Sequence, residues 1–303
     1  MSEPNSEPAT QTGTRPAAVA PDANGVARLA SCGCSSRSGE NFGDPATPPA
    51  YVYALGRIEA RFPSLSVEKE YAQAIARNSN SGRTDSRTLQ ETLADRNNRY
   101  LARSMCWVFS IEGLPTYIVK LRDPSDLDLL VSALRPAPRA TDVDVVIGVR
   151  GPLATFEMCN GLIVPVVFIS QIYSFDIDSL IQSIPRPEKL AADDFAAAAE
   201  EVFARIQQMA DNAGSTDEHR ALNYLALRYS GIYTQAAVAF AQNSSLTAVE
   251  TRTSPLSGTR RIIEVIFTYT SRTTDVADKY FARVDVTEEY PFLVSKLGPY
   301  FDR

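Results

Sequence analysis

Between Tyr100 and Phe175 the chain alternates short apolar runs with turn residues, and the runs are rich in β-branched and aromatic side chains. They read Cys106-Trp-Val-Phe-Ser-Ile111, Thr116-Tyr-Ile-Val-Lys-Leu121, Asp142-Val-Asp-Val-Val-Ile-Gly148 and Leu162-Ile-Val-Pro-Val-Val-Phe-Ile169. Runs of this length, punctuated by Gly, Pro and Asp, predict four strands and hence a sheet core. A short strand over Tyr51–Gly56, behind Pro48-Pro49, opens the folded part.

Elsewhere the spacing is helical. Ser66, with Lys69-Glu70 behind it, is placed to cap a helix carrying Val67, Tyr71, Ala74 and Ile75 on one side. After the polar break Asn78–Arg83, a second helix is predicted from Ser86 to about Arg103, with Leu89, Leu93, Tyr100 and Leu101 as apolar contacts. Asp123-Pro124 and Asp176-Ile-Asp178 read as helix starts, because an acidic cap suits the orphan amides and the dipole there. Prolines 136 and 138 close the first of these helices, and prolines 185 and 187 the second.

From Ala191 to Asn212, and again from Leu222 to Phe240, apolar residues recur at spacings of three and four. They predict two amphipathic helices joined as an antiparallel hairpin over about 191–242, with Gly214 and a Ser215-x-x-Glu218 capping box in the connection. Strands follow at Leu246–Ser254, Arg260–Ser271 and Tyr280–Thr287, the first two forming a hairpin through Ser254–Gly258. The fold class expected is therefore α+β, a mixed or antiparallel sheet core with flanking helices. Residues 51–303 form the domain, and residues 1–50, rich in Pro, Gly, Ser and Ala with Phe42 as the one aromatic, form a disordered tail.

Composition narrows the function. With 44% hydrophobic residues in 303, the chain can bury a sizeable core. A net charge of −6 and a pI of about 5.1 argue against nucleic acid as the partner, since neutralising phosphates needs a basic surface. No apolar run is long enough to span a bilayer and the N-terminus has no signal-peptide pattern, so the expected location is the cytoplasm, where the cysteines should stay reduced.

Candidate chemistry is sparse. The single histidine, His219 in Asp217-Glu-His-Arg220, reads as an ordinary surface residue at a helix start, which leaves no Ser-His-Asp or Cys-His apparatus. No phosphate-binding glycine motif is present; Gly148-Val-Arg-Gly151 lacks the third glycine. Asp142 and Asp144 on one strand would share a face, suiting either a hard cation or an acid/base pair, with a solvated strand face as the bland reading. Cys32, Cys34, Cys106 and Cys159 match the count of a tetrahedral zinc site, although the tight Cys-x-Cys and long separations fit poorly. Two alternatives are buried or free thiols, and a bridge to a symmetry mate. Arg96, Arg99 and Arg103 form a basic stripe able to hold the acidic side of a peptide. Trp107, Tyr117, Phe168 and Tyr173 read as core.

Tyr51–Glu70, Asn98–Arg103 leading into Cys106-Trp107, Arg122-Asp-Pro124, Thr141–Pro152, Glu157-Met-Cys-Asn-Gly161 and Asp285–Leu293 together resemble the C-terminal domain of PatG-type cyanobactin maturation proteases. The resemblance runs from Tyr51 to the end. It implies a role beside subtilisin-like proteases or macrocyclases that process ribosomally made peptides, in a domain without assigned chemistry. The protease module has no counterpart in this sequence, so cleavage and macrocyclisation are not carried over. The expectation is a non-catalytic accessory or scaffolding domain, a homodimer, that holds a peptide or a maturation enzyme, with no membrane partner. A metal-dependent peptide-modifying enzyme using Asp142, Asp144 and the cysteines is the alternative, and a component of a larger assembly is a third reading.

Overall fold

The five strand-forming stretches before residue 177 close on themselves. They are β1 (Tyr51–Arg61), β2 (Cys106–Ile111), β3 (Leu114–Leu121), β4 (Asp142–Leu153) and β5 (Pro165–Asp176). In this computed structural model, which describes residues 49–76, 84–186, 191–209 and 211–301, they form a closed barrel in the order β1-β2-β3-β5-β4. All contacts are antiparallel except the parallel β3–β5 pair. A five-stranded Greek-key barrel with this connectivity has the strand order of an OB-type fold.

Closure depends on β1, which serves two neighbours. Tyr51 to Gly56 pair with β4, and Arg57 to Arg61 pair with β2. The switch falls at Gly56, where a Cβ would lie 2.4 Å from the Ser110 carbonyl oxygen, so any side chain would force the strands apart. The two-residue turn between β2 and β3 puts Glu112 and Gly113 both at positive φ, 50° and 79°, the geometry that matches the twist of paired strands.

Alternation along β1 and β4 sorts their side chains to two sides. Val52, Ala54 and Val146 join Trp107, Phe109, Tyr117, Val119 and Val167 in the barrel interior. Its open end is plugged from α1 (Leu65–Ala76), α2 (Asp85–Ala94), α3 (Arg99–Ser104) and α4 (Leu127–Ala133), through Ala74, Leu93, Leu101 and Leu130. The single helix expected over 86–103 is in fact broken. Asp95 takes an extended ψ of 127° at the end of α2, and its carboxylate accepts the Asn97 N–H to start a 3-10 turn over Arg96–Asn98.

The opposite faces of β1 and β4 present Tyr53, Leu55, Val143, Val145 and Ile147 to a helical layer. After α5 (Ile177–Ser183), that layer comprises α6 (Ala192–Gln207), α7 (Asp217–Arg228) and α8 (Gly231–Ala241). Beyond it lies an antiparallel sheet of β6 (Ser244–Thr253), β7 (Ile262–Ser271), β8 (Ala277–Asp285) and β9 (Phe292–Pro299), in that order. Ile263, Val265, Phe267 and Tyr269 of β7 complete one continuous core from barrel to sheet. The fold is thus α+β, as the patterning implied.

Two details of the helices correct the expectation. The second arm of the anticipated hairpin splits at Tyr229, whose φ of −124° and ψ of 94° end α7 before Gly231 starts α8. The cap of α7 is Thr216, whose hydroxyl accepts the His219 N–H, rather than Ser215. Strand β9 was not anticipated. It is an edge strand, and its Leu293 and Leu297 N–H groups donate to the hydroxyls of Tyr224 and Tyr229, which covers groups an open edge would leave bare.

The connection from β4 to β5, residues 154–164, lies against the outer side of β2, β3 and β5, where Ala154 and Cys159 pack on Cys106, Val108, Ile118 and Val166. Cys159 is bonded to Cys106. This overturns the expectation that both remain reduced thiols or bridge to a second copy. In the bridge neither sulfur is a thiolate, so neither offers itself to zinc. Cys32 and Cys34, with residues 1–48 of the expected tail, lie outside the described residues. Among the described residues no helix is long and apolar enough to cross a membrane.

Candidate functional site

The most built polar region lies where the C-terminal half of β1 passes between two clefts. One, of about 390 Å³, opens between the barrel and the helical layer and is lined by Gly56, Arg57, Glu59, Ser110, Asp142 and Asn212 among others. The second, of about 380 Å³, lies on the side of α4 and is lined by Arg57, Glu59, Leu89, Arg135, Asp142 and Asp144 among others. Arg57, Glu59 and Asp142 belong to both walls.

Asp142 and Asp144 share a face as their spacing required, but neither is solvated: they are 7% and 4% exposed. Asp144 accepts the Ile58 N–H at 2.8 Å and the Ser174 hydroxyl. The first bond has a clear origin. When β1 leaves β4 at Gly56, the Ile58 amide loses a ladder partner, and the Asp144 carboxylate supplies one. Burial pushes the Asp144 carboxyl above its ordinary range, with the Ser174 and Ile58 hydrogen bonds and Arg135 pulling back. Asp142 accepts the Arg139 N–H at 2.7 Å. Arg57 donates to the carbonyls of Arg139 and Ala140 at 2.8 and 2.7 Å, and Arg139 reaches the Asp176 carboxylate.

Two groups in these walls are not satisfied. Arg135, at the end of α4, stands 3.9 Å from both Asp142 and Asp144, beyond hydrogen-bond range, and its buried Nε has no partner among the described residues. The buried Ser110 hydroxyl, in the wall of the first cleft, also has none. The inner end of that cleft is closed by a buried amide pair, Asn212 and Asn223, which bond to each other at 2.8 and 3.2 Å while Asn223 also donates to the Tyr53 carbonyl.

The arginine stripe does not reach this region as a unit. Arg96 lies in the 3-10 turn, Arg99 pairs with Asp128 at 2.8 Å, and Arg103 borders a separate surface hollow beside Trp107 and Leu130. Trp107 and Tyr117 are core, as expected. His219 is half-buried: its Nδ1 has no partner among the described residues, and burial lowers its pKa. Among the described residues no group of three or more His, Cys, Asp or Glu could hold a metal ion.

Arg220, one residue on, went unnoticed in the sequence because nothing local marks a surface-type residue for burial. It is 1% exposed, donates to the carbonyls of Val286, Glu288 and Glu289, lies 3.4 Å from the Asp217 carboxylate, and stacks over Tyr51. One guanidinium thus ties the β8–β9 connection, α7 and the start of β1 together.

Residues 189–300, which hold the helical layer and the second sheet, match the family described as PatG C-terminal. That part of the chain is similar to PatG C-terminal domains. The fold agrees: a solved structure described as the PatG domain of unknown function superposes with a TM-score of 0.67 over 83% of this chain and 99% of that one, at 20% identity. No curated protein matches the chain. The family match therefore covers the C-terminal part, while for the barrel the likeness is one of fold alone.

Proposed function

We propose that this PatG-type domain is a non-catalytic binding module of ribosomal-peptide maturation, and that it holds an extended peptide in the paired clefts either side of β1. The supporting observation is the pair of unsatisfied buried groups, Ser110 Oγ in one cleft and Arg135 Nε in the other. A buried donor without a partner costs about 1–3 kcal/mol, and a bound main chain brings carbonyl oxygens that satisfy it. Arg57 and Glu59 between the clefts add one charge of each sign, which suits a peptide carrying both. The remaining polar groups there are engaged with one another, as in a positioned wall.

Calorimetric titration with a synthetic cyanobactin-type precursor peptide tests this. Binding is expected, and Arg135→Gln is expected to weaken it by about tenfold or more, the worth of one hydrogen bond to a charged donor. Absence of heat with the native domain, or unchanged affinity in the variant, would contradict the proposal.

A further inference from the structure

We propose that the Cys106–Cys159 bridge is a thiol–disulfide exchange site, attacked at Cys159, and that opening it releases the 154–164 connection from the barrel wall. Exchange needs a path for a thiolate to one sulfur, whatever the average burial of the cysteine. Both residues are 3% exposed, yet Cys159 borders a surface cavity of about 340 Å³ that it shares with Arg61, Phe62, Asn160, Gly161 and Leu162, and Cys106 is not in that lining. The cavity sits where β1 ends and β2 begins, since Arg61 is the cross-strand partner of Cys106. Arg61 places a cation at the entrance, favourable to an arriving thiolate although it also pairs with Glu59 at 2.8 Å. The reactant this admits is a small dithiol.

The step balances without another co-reactant. A thiolate of the dithiol bonds to the Cys159 sulfur, the bond between the two cysteines breaks, and Cys106 leaves as a thiolate. The second thiolate of the dithiol then attacks its own sulfur in the mixed disulfide and expels the Cys159 thiolate. The dithiol ends as a cyclic disulfide, and its two protons end on the two cysteines.

The consequence follows from what else holds the connection. Ala154 and Cys159 are its two buried contacts with the Val108, Ile118 and Val166 face, Met158, Leu162 and Val164 are partly buried against it, and Phe156 and Ile163 are 66% and 57% exposed. Its ends are joined to each other through the Ala154 N–H and the Val164 carbonyl, while the bridge is the one covalent tie from the connection to β2. In OB-type barrels the β2–β3 face and the β4–β5 loop form the ligand surface. Here that loop is locked onto the outer side of β2 and β3, and reduction would uncover an apolar strip on them.

Native protein would be treated with dithiothreitol, alkylated without denaturant, and followed by peptide mass spectrometry and amide hydrogen exchange. The expected result is reduction of the folded protein, with the first species trapped at limiting dithiothreitol carrying the reductant on Cys159 and the alkyl group on Cys106, and exchange across 154–164 faster by ~tenfold or more while β1, β4 and β5 stay protected. Cys159→Ser is expected to show the same loss of protection without reductant; should that variant fail to fold, the native-protein measurement stands by itself. Reduction only together with global unfolding, a trapped species with the reductant on Cys106 and the alkyl group on Cys159, or unchanged exchange across 154–164 after reduction would each overturn the proposal.

Discussion

Arg220 and His219 are adjacent in sequence and opposite in character. Arg220 is charged and nearly fully buried, and what makes that tolerable is the set of carbonyls from Val286, Glu288 and Glu289 with Asp217 beside it. Removing the guanidinium leaves those oxygens buried and unmatched, so Arg220→Ala is expected to lower unfolding free energy by about 3 to 5 kcal/mol, read from denaturant melts. A lysine has one ammonium to place among three carbonyls and should recover only part of the loss. His219 is instead held neutral. Burial lowers its pKa in the folded chain, so its contribution is complete above the unfolded value near 6.5. Below that value the unfolded state takes up a proton that the folded state resists, and stability is lost as pH falls toward the depressed folded value. As the one histidine in the chain, it should contribute a loss of stability between about pH 7 and about pH 5, and His219→Gln should remove that contribution from the profile.

At the scale of elements, Gly56 decides the architecture, because the barrel closes only if β1 can leave β4 for β2 there. With a Cβ 2.4 Å from a backbone oxygen, no side-chain rearrangement relieves Gly56→Ala. The expected cost is about 3 kcal/mol or more, with amide protection lost first across 57–61 and 106–110. Closure is also beyond what local sequence pattern carries. The four central strands, the Asp176 helix cap and the apolar stripes of α6 and α7 were legible because each is written in neighbouring residues. Closure was not, because Gly56 acts through Ser110, a residue on another strand. The break at Asp95 carries no Gly or Pro, and β9 escaped notice because its alternation is that of a half-exposed edge. The cysteine pairing is separated by 53 residues and has no local mark at either end. The candidate clefts fared similarly: Asp142 and Asp144 were singled out by spacing, while Ser110 and Arg135 come from separate elements and gain meaning only once the barrel has closed.

At the scale of the molecule, a barrel, a helical layer and a sheet share one core, with a cleft at the junction of barrel and helices. The asparagine pair that floors this cleft also fastens α7 to β1, so occupancy there would be felt by both halves. The most direct test of the account is amide exchange on the native domain with and without a cyanobactin-type precursor peptide. The account predicts slowed exchange in 55–59, 110–113 and 140–143, where the two clefts meet. Protection confined to other surfaces, such as the Arg96–Arg103 segment, would contradict it.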